Sequence, residues 1–496
     1  MKKKFFFLIT LFIFIFSIFI YNEIYESYGK ETWYKKILPE ETKKIKHFLK
    51  NSIFKKMDED YNYNRIIVSL SNENENLKKN IIIKNKRIEK FINDSGKINF
   101  YLTSQKNIHS LNLKKKYKIS IYTSDDLLIR KHLSHPAKST AYLDIYENNL
   151  FLASGEGIFS YINFNDIENN NKFELNIIQT NLKELITQKE FFEDSYFGIK
   201  DVKIYNNQIY ISYSNEIKKG CFNTSILYAN LNFQKLDFKN FFASKDCVDL
   251  ENDFGLTGIW AQGGRMVFDK NRMFFTIGTW GYETLAQDTK SIFGKIISIN
   301  LLDKTYQIVS TGHRNPQGIF YDKETNTILS TEHGPAGGDE FNINHLSSFS
   351  DKIKNYGWPI SSYGMPLNYR NNDKLNNEML KKAPHYKSHE KYGFIEPLVH
   401  WSPGIGISDI TEVSNDFVRS KSKVAKHYVI GGMGREEMSN IGALSLNYFE
   451  LDLKNNKIIS KDIIAIKERI RDLAFIASSN KLILFLETSG SIAILE

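Results

Sequence analysis

Two hydrophobic rhythms divide the chain. At its amino end, residues 5–21 read FFFLITLFIFIFSIFIY, an uncharged run that follows Lys2, Lys3 and Lys4. That length is at the short end of the roughly 17–25 residues of a spanning helix. The flank, NEIYESYGKE, lacks the small-residue pair that a cleavage site needs. A helix that is apolar all round has no polar side to offer water. The pattern predicts an uncleaved signal-anchor over residues 1–21. Its lysines stay on the cytoplasmic side, and everything after Tyr21 lies beyond the inner membrane, in the periplasm. Residues 22–107 are rich in Lys, Asn, Glu and Ile, with Ile45, Phe48, Leu49 and Ile53 at helical spacing. They predict a partly helical, membrane-proximal stalk whose basic stretches suit anionic lipid; a solvated linker is the plainer alternative.

From residue 108 the rhythm shortens to two. Ile209, Ile211 and Tyr213 alternate with Tyr210 and Ser212, the period of a strand. One unit recurs, an apolar strand, an Asn- or Ser-rich turn and a second strand: AYLDIYENNLFLAS, DVKIYNNQIYISY, GRMVFDKNRMFFTIG, QGIFYDKETNTILST, SDITEVSNDFVRSKSKVAKHYVIGG and RDLAFIASSNKLILFLETS. Third strands follow as GIFSYI, SILYANL, KIISINL, DEFNIN, ALSLNYFEL and SIAILE. Six units predict an all-β fold, a six-bladed β-propeller over residues 108–496, because each small sheet must bury both faces against neighbours. Two separate sandwiches are the competing all-β arrangement.

Composition agrees with this picture and narrows it. Hydrophobic residues at 42% and charged residues at 25% are globular values, and aromatics at 14% favour strands. The net charge of +9 raises the question of an anionic partner. Much of the surplus lies in the stalk, and no nucleic-acid motif accompanies it. Two cysteines exclude a disulfide-dense scaffold and a Cys-only zinc site. Cys221 and Cys247 either pair in an oxidising compartment or stay as two buried thiols.

Polar, Gly-rich loops cluster in the later units, where a rigid scaffold presents its chemistry. In GHRNPQG, Arg314 offers forked donors and Asn315 adds a donor and an acceptor. TEHGPAGGDE supplies carbonyls in a turn stiffened by Pro335, with carboxylates at Asp339 and Glu340, a donor set that suits a hard cation such as calcium. Arg469 and Arg471, two apart at a strand start, point the same way and call for an anion between them. Each loop taken singly also reads as an ordinary turn, and His313 and His333 read as structural hydrogen-bonders.

The ordered series QGGRMVFD, GHRNPQGIF, EHGPAGGDEFNI, NYGWP and RIRD resembles the soluble pyrroloquinoline-quinone (PQQ) sugar dehydrogenases, the glucose/sorbosone dehydrogenase family with its aldose sugar dehydrogenases. The resemblance runs from about Phe197 to the C-terminus. It implies a six-bladed propeller with PQQ over the channel mouth, calcium polarising the quinone, and a histidine taking the sugar's hydroxyl proton while hydride passes to PQQ. It implies that Arg314 and Asn315 bind PQQ near its reactive carbonyl and that Arg469 and Arg471 pair with its carboxylates. Glu340 and Tyr356 match calcium positions in the aldose dehydrogenase branch, and Gly334 and Pro335 match the cofactor-calcium turn in the glucose dehydrogenase branch. The departures are equally specific. The family's base lies where this chain has Ala261, a family lysine falls at Gly434 beside Arg435, and a family glutamine falls at Tyr196. His313 and Glu283 are stand-ins for the base that position does not support. The expectation is therefore a membrane-anchored PQQ-dependent sugar dehydrogenase acting on a small sugar with an unidentified electron acceptor. The alternative is a catalytically silent propeller that binds PQQ, calcium or carbohydrate.

Overall fold

The computed structural model describes residues 96–124, 126, 140–167, 171–188, 191, 196–250, 260–346, 353–366, 373–422 and 424–496. The chain divides into two compact units, Met1–Lys86 and Arg87–Glu496, and the described residues all belong to the second. The predicted anchor helix, and the stalk up to residue 95, lie outside them. Among the described residues no helix is long and apolar enough to cross a membrane.

The strands follow the predicted rhythm. A hairpin of β1 (Lys97–His109) and β2 (Lys116–Thr123) comes first. The first meander is β3 (Ala141–Tyr146), β4 (Asn149–Ser154), β5 (Phe159–Asn163) and β6 (Lys172–Thr180). The second is β7 (Ile199–Tyr205), β8 (Gln208–Lys218) and β9 (Cys221–Asn230), then, beyond the short β10 (Lys235–Leu236), β11 (Lys239–Phe242). The third is β12 (Gly263–Asp269), β13 (Arg272–Ile277), β14 (Lys295–Asn300) and β15 (Tyr306–Thr311). The fourth is β16 (Pro316–Asp322), β17 (Thr327–Glu332) and β18 (Asp339–His345), then, past β19 (Lys354–Asn355), β20 (Val399–Trp401). The fifth is β21 (Ile407–Glu412), β22 (Lys426–Gly432), β23 (Ser445–Asp452) and β24 (Lys457–Ala465); β25 (Ile470–Ile476), β26 (Lys481–Leu486) and β27 (Ser491–Leu495) end the chain. Asn207, Asn326 and Asn480 turn the inner hairpins with positive φ, which asparagine tolerates better than most residues.

The fold is all-β and consistent with a propeller. The first strands touch in a closed ring: β3 on β7, β7 on β12, β12 on β16, β16 on β21, β21 on β25, and β25 back on β3. Neighbouring meanders bury their faces against each other. Phe151 and Ile209 share one apolar cluster, Tyr210 and Met266 the next, and Leu446 and Leu484 another. Closure uses the amino end. β27 pairs with β2, so the last meander takes its fourth strand from the start of the unit. β1 then pairs with β2 on one edge and β6 on the other, so the largest sheet runs β25-β26-β27-β2-β1-β6-β5-β4-β3 and nearly closes on itself. This moves a predicted boundary. Residues 97–107, assigned from sequence to the stalk, belong to β1, because Phe100 and Ile98 bury their side chains in the sheet's core.

Cys221 and Cys247 form a disulfide, which decides between the two alternatives left by the sequence. Beside it Phe222 and Val248 exchange both backbone hydrogen bonds, at 2.8 and 2.9 Å. The bridge closes a sequence separation of 26 residues. In the chain-entropy account such a loop contributes roughly 3 kcal/mol. Replacing both cysteines by serine is expected to lower the urea midpoint accordingly, and wild-type protein measured in reductant should match the double variant.

Candidate functional site

Five of the inner hairpins carry a β-bulge at the same end of the ring. Register shifts fall between Ile199 and Asp201, Gly263 and Met266, Pro316 and Gly318, Ile407 and Ile410, and Ile470 and Asp472. The skipped residues include Arg265, Gln317, Asp409 and Arg471. A bulge re-aims the extra residue, and this repeated one directs polar side chains into the centre of the ring.

Below the rim lies a buried charge cluster. The Arg265 guanidinium reaches Asp201 at 3.3 Å, Asp409 at 3.9 Å and, closer still, Asp472. It also lies over the Tyr142 ring at 4.9 Å and donates to the Arg471 carbonyl at 3.1 Å. Two of these aspartates, and Asp144 on β3, join neighbouring strands: Asp144 accepts from Ile204 N at 2.6 Å, Asp201 from Met266 N at 2.7 Å, and Asp472 from Leu143 N. Burial pushes Asp201 up to about 6 and Asp409 up to about 8, against the pull of the nearby cations.

Above it lies the rim. Arg469 and Arg471 converge on one buried carboxylate, Glu487, with Nε contacts of 2.9 and 2.8 Å. Burial alone would raise Glu487; Arg471 and Arg469 override it and hold it at about 2. Gln317 bridges Arg471 (3.3 Å) to Asn315 (2.9 Å), and the Asn315 carbonyl oxygen also accepts from Gly263 N at 3.2 Å. Arg314 donates through Nη1 to the Gly334 carbonyl at 2.7 Å, through its backbone N to Glu332 at 2.7 Å, and lies over the Trp358 indole at 5.4 Å. Its buried Nε has no partner.

Behind the rim runs a buried relay. His313 joins Ser310 (2.8 Å) to Glu332 (2.9 Å), Asn342 links Glu332 (3.0 Å) to Glu340 (3.2 Å), and Glu340 meets His389 at 3.0 Å, which in turn meets Ser361. A Ser-His-Glu order resembles hydrolytic chemistry, yet Ser310 and both ring nitrogens of His313 are spent inside the relay, which leaves none of them facing a substrate. Burial works against charge on His389, but the adjoining Glu340 carboxylate raises its pKa above the ordinary value.

Arg314, Asn315, Arg469 and Arg471 thus come together at one mouth of the ring. The proposed metal ligands divide differently. Glu340 spends its oxygens on His389 and Asn342, and the Tyr356 hydroxyl donates to the Ile343 carbonyl at 2.8 Å, with burial pushing that phenol far up. The Gly334 carbonyl faces the Arg314 guanidinium, and Pro335 packs beside Gly364. The Arg314 guanidinium therefore stands at one of the oxygens that a calcium ion would need, and the Glu340 oxygens are already engaged, so these residues do not fit one. Among the described residues no cluster of three acidic, His or Cys side chains is arranged to hold a metal.

His313 is a structural hydrogen-bonder, as expected, with both ring nitrogens engaged; His333 likewise bonds the Ile407 carbonyl. Glu283 is buried and accepts from Trp358 Nε1 and Thr279, both at 2.8 Å. Neither stand-in offers a free base. Ala261 is wholly buried and its carbonyl accepts from Trp280 N at 2.7 Å. Arg435 is exposed, and Tyr196 joins an apolar cluster.

Sequence reasoning missed Glu487, Gln317 and His385. Glu487 had no signal in the repeat: the register sets Leu486 where the fourth meander has Glu332, so Glu487 answers to His333 one place further on. Gln317 stood within a quoted motif. His385 lies in an insertion with no counterpart in other units, and no periodicity singles it out.

A family model described as Glucose / Sorbosone dehydrogenase matches residues 174–493. Aldose sugar dehydrogenase YliI of Escherichia coli (strain K12) is 28% identical over 228 residues, covering 42% of this chain and 55% of that protein. An uncharacterized protein of Synechocystis sp. is 30% identical over 201 residues, covering 38% and 42%. The chain spans about half the length of these curated relatives. Among solved structures, a glucose dehydrogenase superimposes with a TM-score of 0.53 at 20% identity, covering 74% of this chain and 97% of that one. The apo-form of the soluble aldose sugar dehydrogenase from Escherichia coli gives 0.53 at 19% identity, covering 76% and 99%. These structural matches carry the fold. The family match extends over more than half of the sequence and takes in the bulged inner strands of the second to sixth meanders and the rim residues they present, so the chain belongs to the glucose / sorbosone dehydrogenase family.

Proposed function

We propose that this chain is a six-bladed propeller that binds PQQ at the bulged mouth of its ring and oxidises a sugar hydroxyl, held by its amino-terminal helix on the periplasmic face of the inner membrane. The count of six rests on the closed ring of first strands. The observation that supports the cofactor is the cationic rim. Arg469 and Arg471 share a single carboxylate, and the buried Nε of Arg314 lacks a partner. Such a rim suits a planar polyanion, because guanidinium forks match carboxylates and carbonyls in geometry and charge.

Bound there, PQQ would supply a hydride acceptor. The chain's own residues do the rest. Arg314, Arg469 and Arg471 would hold its oxygens, while Asn315 and Gln317 brace the rim. Trp358, whose indole N–H donates to the Glu283 carboxylate, backs the Arg314 guanidinium with its ring. No step is assigned to calcium. Ala261 favours a second reading, a silent binder, because a methyl group accepts no proton.

Titrating the purified full chain with PQQ and following tryptophan fluorescence tests the reading. Saturable binding is expected, weakened roughly 10- to 100-fold in Arg314→Gln, the range set by losing one charge-assisted hydrogen bond. Failure of the wild-type chain to bind PQQ would end the proposal. Binding without dye-linked oxidation of any aldose would favour the silent binder.

A further inference from the structure

His385 is buried, with 3% of its surface exposed, and neither ring nitrogen has a hydrogen-bond partner. A neutral imidazole carries one donor and one acceptor, and leaving them unpaired inside a protein costs on the order of 1–3 kcal/mol each. Buried polar groups in native structures are paired with protein, water, ion or ligand, so this ring calls for a partner that the described residues do not supply. The ring lies against Trp358, tilted by 34°, at 4.7 Å between centroids. The same indole carries the Arg314 guanidinium at 5.4 Å, whose Nε is the other unpaired group here. Unpaired donors and an unpaired acceptor therefore gather around one aromatic plate at the rim. An alcohol matches that set: its oxygen accepts from Arg314 Nε and its proton goes to an imidazole nitrogen.

We propose that Trp358, Arg314 and His385 form the hydroxyl subsite of this chain, and that His385 accepts the substrate's hydroxyl proton, the part Ala261 cannot play. This rests on the function proposed above. In the step, the O–H bond breaks and its proton passes to the unprotonated ring nitrogen of His385. The hydride on the same carbon leaves for a quinone cofactor, which is reduced by two electrons, and the carbon–oxygen single bond becomes a carbonyl. Burial, with Arg314 and Lys387 nearby, lowers His385 to about 4, so the ring is unprotonated and ready to accept at neutral pH. An anionic cofactor on Arg314 would weaken one of those repulsions and strengthen the base.

The test uses the full chain, wild type and the variants His385→Gln and His385→Asn, each checked by thermal unfolding and PQQ binding. With PQQ and a panel of glucose, galactose, xylose and arabinose, the variants should lose on the order of 10²–10⁴ in kcat with KM little changed. A second readout needs no cofactor. The imidazole resonance absent from His385→Gln should shift when one of these aldoses is added to the apo wild type. PQQ binding that persists together with variant kcat within threefold of wild type would overturn the assignment and leave the proposed function standing, as would an imidazole signal indifferent to all four sugars. Wild-type protein that binds PQQ but oxidises none of them would overturn His385 as proton acceptor. Absence of PQQ binding would remove the proposed function instead.

Discussion

Replacing Arg265 by methionine is expected to lower the unfolding free energy by about 4–5 kcal/mol. Breaking a buried ion pair by removing one partner costs this much because the charge left behind has no solvent, and Lys203 remains as only a partial counter-charge. Here three carboxylates, Asp201, Asp409 and Asp472, would lose the guanidinium they face. The pH dependence identifies the cause. A carboxylate whose folded pKa lies above its unfolded value adds stability in acid and loses it as pH rises through the folded pKa. Burial holds Asp201 near 6 and Asp409 near 8, so both are in that class even with Arg265 present. Without Arg265 both should rise further. Urea unfolding at pH 5 and pH 8.5 should then show a larger loss at the higher pH. Equal losses would mean that the carboxylates do not depend on Arg265, and that its packing against Tyr142 carries the effect.

This cluster shows why part of the fold was legible and part was not. The inner hairpins could be read from alternation and turn residues, since strands with one face buried fix their own register. Asn207, Asn326 and Asn480 mark turns in the sequence as clearly as in the structure. The β1 strand escaped because KINFYLTSQKNIH is rich in Lys and Asn and follows a long basic segment. Only its pairing with β2 and β6 across the closure makes it a strand.

The site divides the same way. Arg314, Asn315, Arg469 and Arg471 were visible because they sit in ordered motifs. That both rim arginines reach one group was also expected, though from simple alternation; in the structure a bulge at Arg471 breaks the alternation, and Glu487 draws the guanidiniums together. The partners that set each residue's chemistry come from distant strands. Glu340 looks like an oxygen ligand until His389, from the insertion before β20, pairs with it. His385 looks like a loop residue until Trp358 lies against it.

Replacing Glu487 by alanine is expected to cost roughly 4 kcal/mol and, in the same protein, to create a stronger anion site. Arg469 and Arg471 are both largely buried, and Glu487 is the carboxylate they share. Removing it leaves two guanidiniums facing each other without a counter-charge. Glu487→Gln should cost less, since the amide keeps an acceptor while losing the charge. The acid limb offers a signature. A carboxylate held near 2 when folded adds stability above its unfolded pKa, near 4.5, and loses it as pH falls from there toward 2. Wild-type protein should lose stability across that window, and Glu487→Gln should lose less. If the rim is built for an anionic ligand, PQQ should raise the melting temperature of Glu487→Gln more than that of wild type at the same concentration, because a ligand at free concentration L that binds only the folded state stabilises it by RT ln(1 + L/Kd), which grows as binding tightens. Inorganic sulfate at equal ionic strength separates a specific site from general screening. A variant destabilised as predicted, yet indifferent to both anions, would make Glu487 a strut of the ring and move the anion site away from Arg469 and Arg471.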